Sequence, residues 1–366
     1  MKFSIQRELL LQPLQQVIGV VERRHTMPML ANILLRCEGS NVTMTATDLE
    51  VELKATVDIK PDNNEAVTLP ARKLLDICRA LPDDTRIEVS VSQGKAGIRA
   101  ARSRFVLATL SAEDFPALDN IQSKNKIIVT EAQLRHLLDH TAFAMAQQDV
   151  RYYLNGLLLH IDHGLLRAVT TDGHRLAMCE LNTEIESQDT HQVIIPRKGI
   201  HELQRLLGDT DKELGIGLSA NHIRVNFQRL CFTSKLIDGQ FPDYDRVIPK
   251  NNNKTVFVDR NAFRHALIRT AILSSEKYRG VRLTLKESSM MLQAHNPDQE
   301  EAEEEVEIDY DGEPLEIGFN VSYLLDVLNA LDTDNVEITF KDPNSSALLR
   351  SPISNQALYV VMPMRL

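Results

Sequence analysis

The sequence predicts an α+β chain of three repeated domains, each with two helices on an antiparallel sheet. Two observations predict this fold class: one helical stretch occurs three times, and similar short strands recur around each copy. The copies begin at Leu69, Ile195 and Phe319. Their apolar residues follow the i, i+3, i+4, i+7 spacing of an amphipathic helix. The period is that of an ordinary domain, so we expect domains at 1–122, 123–249 and 250–366.

The repeated stretch is the second helix of each domain, and it runs through Leu69–Asp83, Ile195–Asp209 and Phe319–Thr333. A proline opens the first two copies, where the N–H that proline lacks is not needed. Asn320 or Ser322 can cap the third copy instead.

Each period opens with a short strand and a first amphipathic helix. The strands are Lys2–Ile5, Lys126–Val129 and Thr255–Val258. Thr130 and Gln133 predict a capping box for the second of these helices. Pro13 lies inside the first of them, and we expect it to kink or confine that helix.

Paired strands follow the first helix of each domain. Similar turns end these pairs, at Thr47-Asp48, Thr171-Asp172 and His295-Asn296. Further strands, such as Arg86–Val91, complete each period. The predicted order of elements in every domain is therefore β-α-β-β-β-α-β-β-β.

Composition and charge indicate an ordinary globular protein that is not a simple basic nucleic-acid binder. The chain is 43% hydrophobic and 25% charged, with a net charge of −10. Residues 250–366 carry 12 basic against 19 acidic side chains, a net charge of −7, much of it near Glu300–Glu307. Four cysteines without metal-ligand spacing read as reduced core residues. Because no apolar run could span a membrane and no signal-peptide core opens the chain, we expect a cytoplasmic protein.

The catalytic motifs of the common enzyme classes are absent from the sequence: it has no Walker loop, GxGxxG, HExxH or GxSxG. The most enzyme-like stretch is Thr171–Arg175, in which Asp172 and His174 could form an acid–base pair. Asp-Gly is also a turn signal, and the equivalent stretches of the other repeats lack the histidine. We therefore predict a protein without catalytic activity, metal or cofactor, and leave open a ligand-contacting role for His174 and Arg175.

Aromatic, basic and amide residues share one loop of the middle domain. Gln147–Tyr153 suits base stacking and phosphate contact, although adjacent tyrosines before a strand could equally be core and rim. Basic residues occupy the same loop of the other domains, and cations begin two of the repeated helices, where they oppose the helix dipole. An anionic partner would account for them, and a surface charge without consequence is the alternative.

Many separate motifs resemble one known family. The stretches are QDVRYYLNG, TDGHRLA, PRKG, EKYRGVRL, NPDQEEAEE, GFNVSYLLDVLNAL and YVVMPMRL. The chain is similar along its whole length to the bacterial DNA polymerase III β subunit family, the sliding clamps. The resemblance implies three DNA-clamp domains that form a ring as a head-to-tail homodimer around duplex DNA. It also implies a non-catalytic processivity factor that binds the replicative polymerase alpha subunit, the clamp-loader delta subunit, and other polymerases and repair proteins through short peptide motifs.

The resemblance also assigns residues to three surfaces. The DNA contacts are Arg24, Arg72, Gln148, Tyr152 and Tyr153. The partner-peptide pocket is Leu154, Thr171, Gly173, His174, Arg175, Leu176, Pro242, Arg246, Val247, Asn320, Tyr323, Ser346, Val360, Met362, Pro363, Met364, Arg365 and Leu366. The dimer seam is Lys73, Arg102, Arg104, Phe105 and Leu107 against Ile272, Leu273, Glu300, Glu301, Glu303 and Glu304. Tyr278 stands where family members often have phenylalanine, which would alter the rim of the pocket.

Two other functions can be weighed on the same residues. A hydrolase would use Asp172 and His174, and would lose turnover in His174→Ala. A peptide-binding scaffold unrelated to DNA would bind at the C-terminal groove without affecting polymerase processivity.

Overall fold

The computed structural model describes residues 1–22, 27–116, 118, 125–183 and 190–365. Contacts divide the chain into two compact units. Unit 1 contains Met1–Ala132 and Lys198–Leu236, and unit 2 contains Gln133–Thr183, Gln188–Arg197 and Ile237–Leu366.

The same order of elements occurs three times along the chain. The first repeat has β1 (Lys2–Gln6), α1 (Arg7–Val17), β2 (Asn32–Glu38), β3 (Asn41–Thr47), β4 (Val51–Asp58), β5 (Ala66–Pro70), α2 (Ala71–Ala80), β6 (Arg86–Ser92), β7 (Lys95–Ala100) and β8 (Ser103–Ala108). The second has β9 (Asn125–Thr130), α3 (Glu131–Asp139), β10 (Gly156–Asp162), β11 (Leu165–Thr171), β12 (Arg175–Asn182), β13 (His191–Pro196), α4 (Arg197–Leu206), β14 (Glu213–Leu218), β15 (His222–Asn226) and β16 (Leu230–Lys235). The third has β17 (Lys254–Asp259), α5 (Arg260–Ala271), β18 (Gly280–Lys286), β19 (Ser289–His295), β20 (Glu301–Glu307), β21 (Leu315–Asn320), α6 (Val321–Ala330), β22 (Asn335–Phe340), β23 (Ala347–Arg350) and β24 (Ala357–Val361).

The two predicted helices of each repeat are confirmed, but the predicted strand count was wrong by one. Four strands, not three, separate the two helices of every repeat. The strands that the sequence analysis missed are β4, β12 and β20. Each missed strand forms a hairpin with the strand before it, and in the first two repeats it also pairs with a strand of the following repeat.

Unit 1 contains one four-stranded and one eight-stranded antiparallel sheet. The order of the small sheet is β1-β6-β7-β8, and that of the large sheet is β5-β2-β3-β4-β16-β15-β14-β9. β4 of the first repeat thus pairs with β16 of the second, with Leu53 opposite Phe232. Both of these side chains are fully buried.

Unit 2 has the same plan. Its small sheet has the order β20-β19-β18-β21, and its large sheet β13-β10-β11-β12-β24-β23-β22-β17. β12 of the second repeat pairs with β24 of the third, with Ala177 opposite Tyr359. The predicted role of Leu358–Met362 in completing the last sheet is confirmed for the residues within β24.

The helices bury the apolar stripes that their periodicity predicts. α2 buries Leu74 and Cys78, and α6 buries Leu324 and Leu328. The carboxamide of Asn320 accepts a hydrogen bond from the Ser322 amide at 2.9 Å, so Asn320 caps α6. α1 continues through the buried Pro13 to Val17 rather than ending at it.

The four cysteines are free thiols in or near the core, as predicted. Burial raises the pKa of Cys37 to about 11 and those of Cys78 and Cys179 to about 12. Because the thiolate is the reactive form, these three side chains behave as small apolar residues at neutral pH.

Candidate functional site

One turn of the second repeat positions the side chains around the predicted pocket. The Asp172 carboxylate accepts hydrogen bonds from the amides of His174 at 2.9 Å and Arg175 at 3.0 Å. The Thr171 hydroxyl donates to the Arg175 carbonyl at 2.6 Å. Gly173 has a φ of 89°, the left-handed conformation that glycine adopts without strain.

The equivalent turns of the other repeats are built in the same way. Asp48 accepts from the amides of Glu50 and Val51, and Asn296 accepts from the amides of Asp298 and Glu300. The turn interpretation of these motifs is therefore confirmed. The Asp172 carboxylate also accepts from the Arg175 guanidinium at 3.1 Å, and its hydrogen bonds to His174 involve only the His174 backbone. This geometry does not form the acid–base pair that a hydrolase would need.

Arg175 joins three parts of unit 2. Its guanidinium donates to the carbonyl of Phe143 at 2.8 Å and forms ion pairs with Asp172 and with Asp326 of α6. The same group lies 4.6 Å from the ring centre of Tyr323. With only 11% of its side chain exposed, Arg175 stabilises the pocket wall more than it presents a surface to a partner.

Two of the predicted pocket residues, His174 and Tyr323, stack their rings. Their rings stack with centres 6.4 Å apart and planes 18° apart. Burial, followed by the nearby charge of Asp172, raises the pKa of Tyr323, so its hydroxyl stays protonated at neutral pH. The pair thus offers an imidazole and a hydroxyl that can form hydrogen bonds.

Apolar residues of the predicted pocket belong to a buried cluster from distant segments of unit 2, called the apolar floor below. Leu154, Leu176 and Val360 are at most 2% exposed, and Val247 is half-buried against them. Phe241 and Tyr244 belong to the same cluster, although the sequence analysis did not assign them to the pocket. Because these side chains come from separate strands and loops, only the fold brings them together.

The C-terminal tail borders this floor. The Met362 amide donates to the His174 carbonyl at 2.9 Å, and the Met364 amide donates to the Gly318 carbonyl at 2.8 Å. The Met362 side chain is 38% exposed. The tail is thus fixed by its backbone while its side chains remain accessible.

The other predicted pocket residues have different surroundings. Pro242 and Arg246 are exposed, and Arg246 forms an ion pair with Asp243 at 2.7 Å. The Ser346 carbonyl accepts from the Asn252 carboxamide at 3.1 Å. Leu366 lies outside the described residues.

A cavity of about 860 Å³ lies beside the tail. Met364 and Arg365 line it together with Tyr278 and Arg282. Tyr278, where family members were expected often to have phenylalanine, therefore lines the same cavity as the tail and does not belong to the apolar floor.

The predicted DNA-contacting loop of the second repeat is held in one conformation. The Asn155 carboxamide donates to the Asp149 carbonyl and accepts from the Asp149 amide, both at 2.9 Å. The side-chain hydrogen bonds from Arg151, followed by that of its amide, lower the pKa of Asp149 to about 2. The ion pair that holds this loop is therefore complete at any pH near neutrality.

The three predicted contacts in this loop differ in exposure. Gln148 is exposed and has a φ of 56°. Tyr152 is 56% exposed, whereas Tyr153 packs against the apolar floor. The two tyrosine rings meet edge to face, with centres 5.8 Å apart. Of the two interpretations that the sequence left open, the core role therefore applies to Tyr153 and the surface role to Tyr152.

The cations at the helix N-termini bind groups of the protein itself. The Arg72 guanidinium donates to the Val21 carbonyl at 2.8 Å, and that of Arg197 donates to the Met145 carbonyl at 2.9 Å. The Lys198 ammonium pairs with Asp48 and, at 3.1 Å, with Glu22. Burial alone would lower the pKa of Lys198, but these two ion pairs outweigh it and raise that pKa. Lys73 is exposed, and Arg24 lies outside the described residues.

We expect Lys198→Met to lower the stability of unit 1. The Asp48 side chain is 1% exposed, and without its cation the free energy of unfolding should fall by about 1–3 kcal/mol. Adding Asp48→Asn should recover part of this loss, because the buried charge is then removed as well. Thermal unfolding measures both effects, with Lys212→Met as an exposed-lysine control. A loss that Asp48→Asn does not reduce would contradict the ion-pair explanation.

Several predicted seam residues lie on an edge strand of a sheet, whereas Lys73 lies in α2 and Ile272 and Leu273 directly follow α5. In unit 1, Arg102 and Arg104 are exposed and Phe105 is half-buried at the edge strand β8. In unit 2, Glu301 and Glu303 are exposed on the edge strand β20. Leu107 is buried, while Lys73 and Glu300 are exposed and Leu273 is half-buried.

Two seam residues of unit 2 have notable surroundings. Ile272 is 74% exposed, which is unusual for an isoleucine next to a helix. Glu304 forms a bidentate ion pair with Arg269 of α5, with both distances 2.7 Å. Glu304 therefore already has a cation within its own chain.

Comparisons with known proteins agree along the whole chain. Three family models match: the N-terminal domain of the DNA polymerase III beta subunit over residues 1–119, the central domain over 128–243 and the C-terminal domain over 245–365. The beta sliding clamps of Pseudomonas aeruginosa and Escherichia coli are 55% and 48% identical, each match covering 100% of both chains.

Solved structures give the same result. The DNA polymerase III subunit beta of Pseudomonas aeruginosa superimposes with a TM-score of 0.98 at 55% identity over 100% of both chains. The pol III beta of Caulobacter crescentus superimposes with a TM-score of 0.95 at 40% identity over 100% of both chains. Within the described part of the chain, no helix has the length and apolarity that crossing a membrane requires.

Proposed function

The chain belongs to the family of the DNA polymerase III beta subunit, the beta sliding clamps, and from this premise we propose how it works. It is a sliding clamp that confers processivity on DNA replication. We propose that it acts in the cytoplasm as a head-to-tail homodimer that encircles duplex DNA, without chemistry of its own. Its three domains would occupy 1–122, 123–249 and 250–366.

The proposal of a dimer rests on one observation: both junctions between repeats pair strands at equivalent positions of the repeat. β4 of the first repeat pairs with β16, the last strand of the second, and β12 of the second pairs with β24, the last strand of the third. The corresponding strand of the third repeat is β20, and the last strand of the first is β8. Both are edge strands in their own sheets. Pairing β20 of one chain with β8 of another would repeat the junction between chains, and two such heterologous contacts can close a ring.

The two existing junctions also predict the register of the third. Phe232 and Tyr359 lie opposite Leu53 and Ala177, and the equivalent positions at the seam are Phe105 and Ala302. Phe232 and Tyr359 are 0% exposed, whereas Phe105 is only half-buried within one chain. The missing neighbour of Phe105 is what a partner strand would supply.

This register also predicts the charge pairs of the seam. With Phe105 opposite Ala302, the next pair along the strands is Glu303 opposite Arg104 of the partner subunit. Opposite charges that face each other across antiparallel strands stabilise the pair, and like charges destabilise it. β20 is acidic and Arg104 is the one charged residue of β8, so the two edges are complementary, and the charges of β20 discourage it from pairing with its own kind.

Retention on DNA would come from enclosure. Arg24, Arg72, Gln148, Tyr152 and Tyr153 are the proposed DNA contacts. Contacts to phosphate do not depend on base sequence, so a clamp that uses them can move along the duplex. The net charge of −10 limits adhesion of the rest of the surface to DNA.

The pocket of unit 2 would bind the protein partners. An apolar floor with a few polar groups above it suits a short peptide with apolar anchors. We propose that the replicative polymerase alpha subunit, the clamp-loader delta subunit, and other polymerases and repair proteins compete for it. A single pocket would then be shared by partners that act at different times.

The test is whether the clamp leaves DNA only when the circle is opened. After loading onto nicked circular plasmid with a clamp loader and ATP, the protein should remain with the plasmid through gel filtration. Cutting the plasmid once with a restriction enzyme should release most of it. Equal loss from circular and linear DNA would overturn retention by enclosure. A plasmid that lacks the restriction site, treated with the same enzyme, serves as the control.

A further inference from the structure

A group of three potential metal ligands lies in unit 2, and none of them is among the predicted pocket or seam residues. Among the residues that the structure describes, His136, His140 and Asp332 place one ligand atom each within 4.8 Å of one another. Nε2 of His140 is 3.3 Å from the Asp332 carboxylate, and the two imidazole centres are 3.9 Å apart.

The two histidines have the spacing that metal-binding helices use. His136 lies in the last turn of α3 and His140 directly follows that helix, with its amide bonded to the His136 carbonyl at 3.1 Å. A spacing of four residues puts both rings on one helix face, as in helical zinc-binding motifs. Asp332 follows the end of α6, so the group joins two segments that are distant in sequence.

The second nitrogen of His140 is already oriented. Its Nδ1 is 2.9 Å from the carbonyl oxygen of His136. Because that oxygen can only accept a hydrogen bond, the single proton of the neutral ring lies on Nδ1. Nε2 of the neutral ring then carries the free lone pair, which points toward Asp332. Metal-binding histidines commonly hold their other nitrogen in this way.

We propose that His136, His140 and Asp332 form a binding site for a divalent cation of the zinc class. Two imidazoles and one carboxylate suit Zn²⁺, Co²⁺ or Ni²⁺, whereas Mg²⁺ and Ca²⁺ prefer sites made of oxygen atoms. Zinc ligands lie about 2.0–2.2 Å from the ion, so the three ligand atoms must approach one another slightly. The Asp332 side chain is 77% exposed and can rotate to make this approach.

The position favours a cation for a second reason. The site lies at the C-terminal ends of both α3 and α6, where the helix dipoles present partial negative charge. A bound ion would link these two helix ends and stabilise unit 2. Water would complete its coordination, since the three side chains leave at least one position open.

The experiment measures metal binding by the untagged, full-length protein. Titration with Co²⁺ alone should give a visible d–d spectrum of one bound ion per chain, and Zn²⁺ alone should displace it. His136→Gln and Asp332→Asn, both at accessible positions, should each weaken binding by at least about 10-fold. His201→Gln, at an exposed histidine of α4 in unit 1, should leave binding unchanged.

Thermal unfolding supplies an independent readout. Zn²⁺ should raise the Tm of the parent and of His201→Gln by at least about 2 °C, and should not raise that of the two site variants. An excess of Mg²⁺ should have no such effect. Unaltered binding in both site variants, or no binding by the parent, would overturn the proposal. Circular dichroism of each variant confirms that it is folded, so a loss of binding reports on the ligands.

Discussion

Arg104→Glu should convert the dimer into monomers. In the proposed register the new carboxylate would face Glu303 of the partner subunit, and a closed ring repeats this contact at both seams. Juxtaposed like charges at an interface cost several kcal/mol, so the dissociation constant should rise by about 100-fold or more. Size-exclusion chromatography with light scattering over a range of concentrations measures it.

The register makes this prediction specific, because a second substitution should reverse it. Arg104→Glu combined with Glu303→Arg exchanges the two charges and should restore the dimer. Lys2→Glu is the matched control: it reverses a charge on β1, the opposite edge of the same four-stranded sheet. Failure of the double variant to dimerise, with Lys2→Glu still dimeric, would show that the register is wrong.

The apolar part of the seam provides a separate arm of the same experiment. Ile272→Ala with Leu273→Ala removes side chains that one chain leaves exposed or half-buried. Their loss should weaken the dimer without lowering the stability of the monomer. A dimer of unchanged affinity would mean that these residues lie outside the seam.

The helices and the repeat were predictable from the sequence because their signal is local. The stripe through Leu74 and Cys78 is set by the helical period, and the structure buries both. The Asp-Gly turn was predictable for the same reason, since its hydrogen bonds join neighbouring residues. Local chemistry of this kind is repeated in all three domains.

The missed strands show where such reasoning stops. β20 is an almost continuous acidic run, Glu301–Glu307, which reads as a solvated segment. In the structure its residues alternate between exposed and more buried positions, and Val306 is buried. β4 and β12 form hairpins with β3 and β11 across the Asp turns, and the turn signals were read without the strands that follow them. Their second partners, β16 and β24, are too distant along the chain for a local pattern to predict.

The pocket was predicted from family resemblance, but the role of Arg175 within it was not. The arginine binds Phe143, Asp172 and Asp326, which come from three separate segments. The proposed metal ligands are likewise brought together by the fold from separate segments. The histidine spacing is visible in the sequence, but Asp332 joins it only through the fold.

Deleting residues 362–366 should weaken partner binding about 30-fold or more while leaving the dimer intact. The deletion removes the Met362 side chain and the two backbone hydrogen bonds that hold the tail to His174 and Gly318. β24 ends at Val361 and keeps its pairing with β12 and β23, so the sheet should survive. Loss of a central interface element costs about 2 kcal/mol or more, or about 30-fold in affinity.

Surface plasmon resonance with the purified replicative polymerase alpha subunit measures this affinity, and light scattering measures the dimer. Ile353→Ala is the matched control, because it removes an apolar side chain that is 85% exposed in the loop before β24. The control should bind polymerase as the parent does.

The two outcomes separate the roles of the tail. If the deletion variant remains a dimer and stays on circular plasmid but binds polymerase more weakly, the tail serves partner recognition alone. Met364 and Arg365 line the same cavity as Glu301 and Glu303 of β20, one strand of the proposed seam, so the dimer measurement decides whether the tail also supports the seam. Loss of the dimer together with polymerase binding would instead make the tail a structural element, and unchanged polymerase binding would remove it from the pocket.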